Sequence, residues 1–332
     1  MVDCLLTILV NQICRIFSTP QTPDSIITQI NFIQILKNAS YKKKGYNMEY
    51  DNYNTDSKSQ FKNKIIVITG STQGIGAETA KLFASRGAKG ITICGRNKNN
   101  GLKVKEDIER LGVNCIFVKA DLALIDDCKK IISITDKNFG TVDTLISCAG
   151  FTERGTIVST SLDNYERNFN INARAPFFLM QDTIKIMRRD KKKGTIACIL
   201  TMASHSGMPF LCAYSASKGA LAIMIKNIAN AISFDQIRVN GLNIGWSDTP
   251  GEDIIQKKFH DASDEWLKNA ESKVPFKKLT KPLDVARGLA FLCSSESGIM
   301  TGSIIDFDQT IAGWHSYSAY DSKKMDNSLL GE

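Results

Sequence analysis

The chain reads as an α/β protein built on a doubly wound parallel sheet of about seven strands, with helices on both faces. Two observations predict this. From Lys64 onward, short β-branched runs alternate with longer amphipathic stretches, and the first run opens into a glycine cluster followed at once by a helix. Short apolar runs bounded by turn signals are buried strands, and regular strand–helix alternation builds a parallel sheet covered on both sides.

Taken in order, the strands are expected at 65–69, 91–94, 115–118, 144–147, 195–200, 238–242 and 303–307, each rich in Ile and Val or closed by turn residues. Helices are expected at 76–86, 99–111, 124–138, 161–189, 211–234 and 283–294, the last opening on Pro282 at a first-turn position. A further helix, 251–273, carries Trp266 and falls between the sixth and seventh strands, where a binding lid would fit. The sequence shows no internal repeat.

The ends of the chain differ from this pattern. Residues 4–17 are apolar but broken by Asn11, Gln12 and Arg15, well short of the roughly 18 clean apolar residues of a spanning helix. Asp3 ahead of that run and the lack of an Arg-rich, acid-poor stretch fit neither a secretory nor a mitochondrial leader. Polar composition from Asn38 to Lys58 reads as a linker. The expected organisation is a flexible or partly helical N-terminal extension (1–60), a catalytic domain (61–312) and a C-terminal tail (313–332), with Met48 a candidate natural start.

Composition narrows the class. A chain of 332 residues with 43% hydrophobic and 23% charged content can bury a sizeable core. Nine cysteines without a C-x-x-C pair point to reduced thiols, a cytoplasmic location and no metal site. The charge of +8 is interleaved with acids along the chain. That pattern predicts a solvated surface with no nucleic-acid or membrane partner.

Chemistry enters at two places. The first strand runs into Thr69-Gly70-Ser71-Thr72-Gln73-Gly74-Ile75-Gly76 and then a helix. Glycines allow a close backbone approach to a pyrophosphate, whose charge the amides and dipole of a helix N-terminus meet, so the loop marks a dinucleotide site. Downstream, Tyr214 and Lys218 lie four apart and share one helical face. A lone phenol titrates at about pH 10, and a fixed cation beside it favours the phenolate. The bland alternative is a solvated lysine beside a half-buried tyrosine.

The G-x-x-x-G-x-G spacing with Tyr-x-x-x-Lys downstream resembles the classical short-chain dehydrogenase/reductase family over about residues 61–312. The resemblance implies a Rossmann-like domain and a nicotinamide cofactor. It also implies interconversion of a small-molecule secondary alcohol and a carbonyl, usually by a homodimer or homotetramer. By the same resemblance Tyr214 is the acid/base, Lys218 holds the nicotinamide ribose and lowers the tyrosine, and Asn172 supports a water-linked proton relay, with Asn170 its nearby rival. Residues 70–76 form the phosphate loop, Ala149 and Gly150 approach the cofactor, Asp121 binds the adenine amino group, and Thr249 touches the phosphates.

Three positions depart from the family pattern. Thr201 stands thirteen before Tyr214, where the family has serine; it keeps the hydroxyl. Ser204 is the fallback, and His205 reads as a loop histidine. Ser147-Cys148 replaces a pair of asparagines, with Cys148 read as packing, and Ile244 replaces a proline. After the second strand the chain has Cys94-Gly95-Arg96 and no acid. A cation there grips a 2′-phosphate, so NADP(H) is expected over NAD(H). The alternative of another class is an NADP(H)-binding sensor or scaffold without turnover; an extended-type epimerase would carry different glycine spacing. The substrate depends on residues 246–273 and on Trp314, Tyr317 and Tyr320 of the tail, which could close over a neighbouring subunit's site or simply pack.

Overall fold

β1 (Ile65–Thr69) is buried along its whole length, as five consecutive β-branched residues require when both faces of a sheet are covered. Ile66 and Ile68 pack on one face and Val67 on the other. The computed structural model describes residues 57–205 and 207–312. In chain order the remaining elements are α1 (Gly74–Ser85), β2 (Gly90–Gly95), α2 (Lys98–Glu109), β3 (Asn114–Lys119), α3 (Ile125–Phe139), β4 (Thr144–Ser147), α4 (Leu162–Phe169) and α5 (Ala175–Arg189). They continue with β5 (Thr195–Thr201), α6 (Cys212–Ala231), β6 (Arg238–Ile244), α7 (Pro250–Phe259), α8 (Trp266–Lys273), α9 (Pro282–Cys293) and β7 (Ile304–Phe307).

The strands form one parallel sheet in the order β3-β2-β1-β4-β5-β6-β7. Helices α1, α2 and α9 lay Phe83, Val104 and Leu289 on one face, while α3, α5 and α6 lay Ile131, Leu179 and Ile225 on the other. Each such fully buried side chain contributes on the order of 2 kcal/mol. The strand order reverses between β1 and β4, and the crevice at the carboxyl ends of those two strands is where such sheets hold ligands.

Two expected helices are broken. The segment 161–189 is interrupted by a π turn, Asn170–Arg174. Pro176 is the cause: it has no N–H to return to the Asn172 carbonyl four residues back, and its ring crowds that carbonyl. The segment 251–273 becomes α7 and α8, separated by a turn in which Asp261 takes a φ of 47°. Several strands outrun the expected bounds because ladder pairing continues past the β-branched residues, as at Gly95↔Lys119 and Thr201↔Ile244. The expectations for residues 1–56, Met48 included, and for Trp314, Tyr317 and Tyr320 lie outside the described residues.

Candidate active site

Gly70 and Gly74 hold φ values of 61° and 54°, which side chains with a Cβ rarely adopt. A Cβ on Gly70 would stand 2.7 Å from the Ala149 Cα, and one on Gly76 would overlap the Gly70 carbonyl. The loop after β1 therefore lies against the loop after β4, and α1 begins hard against β1. Gln73 caps α1 with extended backbone and no side-chain bond, so the first-turn amides around Ile75 and Gly76 stay available as donors. That cradle fits a pyrophosphate. Across it, Thr249 caps α7 by accepting from the Glu252 amide at 3.1 Å, which leaves its hydroxyl proton free, and its Cβ would lie 3.6 Å from a Cβ on Gly74.

Ser71 is committed to the fold instead. Its buried hydroxyl donates to the Ile68 carbonyl at 2.5 Å and accepts from the Cys94 amide at 2.9 Å, tying β1 to β2. Thr72 packs over Gly95, where a Cβ would stand 2.6 Å from its Cγ2. Beyond Gly95, Arg96 is exposed, and no described residue bonds or pairs with it. Asp121 accepts from the Ala123 amide at 3.0 Å and faces Arg167 at 3.5 Å. It stands with Arg96 at the carboxyl ends of β3 and β2, apart from the catalytic cluster.

Five of the expected residues do converge. Tyr214 and Lys218 lie on α6, Thr201 ends β5, Asn172 sits in the π turn, and Gly150 follows β4. A Cβ on Gly150 would be 3.9 Å from Lys218 Nζ and 4.0 Å from Asn172 Oδ1. Asn172 is fully buried and clamps Phe151: its Oδ1 accepts from the Phe151 amide at 2.9 Å while its Nδ2 donates to the Phe151 carbonyl at 2.9 Å. The same Nδ2 reaches Ser217 Oγ at 3.0 Å, and Ser217 donates to the Tyr214 carbonyl at 2.7 Å. The amide side chain thus fixes the loop after β4 against α6.

The electrostatics differ from the expectation. Lys218 donates to the Ile199 carbonyl at 2.8 Å, and burial depresses it to about 8 against an ordinary 10.5. Burial raises the Tyr214 phenol above its ordinary value; a hydrogen bond from Thr201 and the charge of Arg154 oppose that rise, and Glu252 reinforces it. The expected depression of Tyr214 by Lys218 is therefore corrected: desolvation outweighs the Thr201 hydrogen bond and the Arg154 charge, and the lysine turns to the Ile199 carbonyl. Ser204 donates to the Thr201 carbonyl at 2.7 Å, which leaves Thr201 as the hydroxyl facing the phenol. His205 bonds Asp306 at 2.9 Å and Asn243 at 2.8 Å. Burial holds the Cys148 thiol far above its ordinary range, in keeping with packing.

Sequence reading missed Arg154 and placed Trp246 and Glu252 only within the substrate segment 246–273. Arg154 lies on the loop after β4, its guanidinium 5.7 Å over the Phe210 ring and 3.7 Å from Glu252 on α7; Glu252 accepts from Trp246 Nε1 at 2.9 Å. The available signal was position, Arg154 four residues past Gly150 and Glu252 three past Thr249. Among the described residues no cluster of His, Cys, Asp and Glu could hold a metal ion, and no helix is long and apolar enough to cross a membrane.

Comparisons with known proteins agree with this architecture. The family model described as enoyl-(acyl carrier protein) reductase matches residues 70–311. An uncharacterized oxidoreductase of Thermotoga maritima is 32% identical over 248 residues, 75% of this chain and 97% of that protein. An NADP-dependent (R)-specific alcohol dehydrogenase of Lentilactobacillus kefiri is 32% identical over 250 residues, 74% of this chain and 94% of that protein. Among solved structures, a variant actinorhodin polyketide ketoreductase with NADPH superposes with a TM-score of 0.71 at 20% identity, covering 76% of this chain and 98% of its own. That likeness concerns the fold. With nearly the full length of two relatives matched at this identity, the chain belongs to the short-chain dehydrogenase/reductase family of oxidoreductases.

Proposed function

We propose that the protein interconverts a secondary alcohol and a carbonyl with NADP(H), using Tyr214 as acid/base. The observation that carries this reading is the convergence of Tyr214, Thr201 and Lys218 at the crevice whose other wall is the glycine cradle. The alcohol dehydrogenase relative named for NADP and the partnerless Arg96 after β2 both support the phosphorylated cofactor. When bound, that cofactor supplies or takes up the hydride.

The chain's own residues handle the rest. Thr201 donates a hydrogen bond to the substrate oxygen, and its added methyl narrows the pocket relative to serine. Tyr214 protonates that oxygen during reduction and removes the proton during oxidation. Burial keeps the phenol in the protonated form that donates during reduction, while making that proton harder to release. Lys218 holds a cation behind the tyrosine, and Asn172, whose carbonyl receives nothing from Pro176, supports the water-linked proton relay in this reading.

The reading extends to assembly and setting. The catalytic domain spans 61–312, preceded by the extension 1–60 and followed by the tail 313–332. Tyr165 and Phe177 are exposed on α4 and α5, in keeping with a homodimer or homotetramer. The seven described cysteines are all free thiols, in keeping with a cytoplasmic location.

A thermal-shift comparison of NADPH and NADH, followed by NADPH oxidation against a broad carbonyl panel, tests the whole reading. NADPH at 100-fold over its Kd adds about 2.7 kcal/mol of apparent stability, and NADH at the same concentration adds less. Stoichiometric NADPH binding without turnover of any panel member would make the protein a nucleotide-binding scaffold instead.

A further inference from the structure

Arg154 stands in the wall of the candidate site, and the one acid paired with it, Glu252, lies at a loose 3.7 Å. The Gly155 amide beside it donates to the Phe210 carbonyl at 3.1 Å, so this wall is joined to the segment that leads directly into α6 and Tyr214. The side chain is largely enclosed, 14% exposed. Its NH1 is anchored by the Thr152 carbonyl at 3.1 Å and the Thr152 hydroxyl at 2.9 Å, its Nε points to His260 Nε2 at 3.4 Å, and its plane lies over Phe210. Those contacts orient the group and leave NH2 facing only Glu252, at 3.7 Å. A charge-assisted bond closes to about 2.7–2.9 Å.

The neighbouring acids hold closer partners than Arg154. Glu252 Oε1 accepts from Trp246 at 2.9 Å and Gln256 at 2.7 Å, Glu153 holds Lys258 at 2.9 Å, and Asp253 takes Trp266 at 2.8 Å and Lys257 at 3.1 Å. A largely enclosed cation oriented on three sides with an open fourth edge is a receptor for a carboxylate.

We infer that Arg154 receives a carboxylate of the substrate through its NH2 edge, so that the carbonyl compound turned over at Tyr214 is an oxo acid. This rests on the oxidoreductase reading above. The bridge between Gly155 and Leu211 joins the Arg154 loop to the residue that caps α6, three positions before Tyr214, and the charge of Arg154 is felt at the Tyr214 phenol. In the reduction, the carbonyl carbon gains hydride from NADPH and its oxygen gains the Tyr214 proton, giving a hydroxy acid and NADP+. The carboxylate keeps its charge throughout and contributes binding and orientation.

The test measures NADPH oxidation by the full chain with the isomeric oxopentanoates and their methyl esters. Wild type is expected to prefer at least one acid over its ester by about 10- to 100-fold in kcat/KM, the span of one charged contact. Arg154→Gln erases that preference chiefly through KM, and Arg154→Lys restores part of it. Glu252→Gln removes the competing carboxylate and lowers KM for the acid, which decides the matter should Arg154→Gln fail to show an NADPH thermal shift. Esters turned over as well as acids by wild type would overturn the carboxylate site and leave the oxidoreductase reading standing. So would an acid preference that survives Arg154→Gln, or an unchanged acid KM in Glu252→Gln. NADPH binding with no turnover of acids, esters or neutral ketones would overturn the oxidoreductase reading, and this inference with it.

Discussion

The two ends of the sheet treat their polar groups in opposite ways. A cavity of about 650 Å³ lies at the amino ends of the strands, lined by Lys64, Asp143 and Arg238 among others. There buried Asp143 and half-buried Arg238 are saturated by the fold. Asp143 accepts from the Ile65 amide and from Lys192, both at 2.8 Å, and Arg238 donates to the carbonyls of Leu292, Ser294 and Met300 and to Ser297 Oγ. At the carboxyl ends, Arg96 has no described partner, Arg154 has an open edge, and Tyr214 faces Thr201 across a crevice. Function is read from polar groups whose bonding is incomplete, because a buried group left so costs stability unless a ligand completes it.

The sharpest way to break this contrast is Tyr214→Phe. The substitution removes one hydroxyl that no backbone group holds, so NADPH should bind and the fold should persist while turnover falls by about 10³–10⁴-fold. Thermal shift and NADPH oxidation on the same sample check both halves, and near-normal turnover would remove Tyr214 from the mechanism.

Arg238→Leu is the matching substitution at the other end. It strands the carbonyls at the end of α9 and the Ser297 hydroxyl, so about 2–4 kcal/mol of stability should be lost in urea unfolding, with kcat at saturating substrate unchanged below the midpoint. A loss of kcat with intact stability would show that the two ends are coupled.

How much of this was legible before the structure follows the same division. β1 and β4 match the expected bounds because short buried runs bounded by turn residues state burial directly. The glycine loop was legible because positive φ and close approach admit little else at Gly70 and Gly74. The π turn was written in Pro176 but needed the three-dimensional clamp of Asn172 on Phe151 to be understood. The Tyr214 shift was misjudged because spacing reports neighbours along a helix and says nothing of desolvation. Arg154 and Glu252 lie 98 positions apart in the chain, and no local pattern joins them.

Lys218 belongs to the carboxyl end and should behave as a stability cost there. Its folded value of about 8 lies below the ordinary 10.5, so the penalty for burying the charged form is complete below pH 8 and vanishes above 10.5. Stability should therefore rise with pH across that window. Lys218→Met should equal or exceed wild type in stability at pH 7, lose that advantage toward pH 10.5, and lack turnover. A variant clearly less stable than wild type at pH 7 would mean that the bond to the Ile199 carbonyl outweighs the desolvation.

The smallest expected effect is at Arg96, which is exposed and contributes nothing visible to the fold. Arg96→Leu should leave the unliganded midpoint within about 0.5 kcal/mol of wild type. A guanidinium on a 2′-phosphate is an exposed, charge-assisted contact, so its removal should weaken NADPH by about 10-fold while NADH changes little. The ratio of the two Kd values is the quantity to measure, since a general loss of nucleotide binding would move both alike. Should the ratio stay fixed, the phosphate preference would have to come from Thr72 and the loop amides, and the carboxyl end would discriminate cofactors through its backbone.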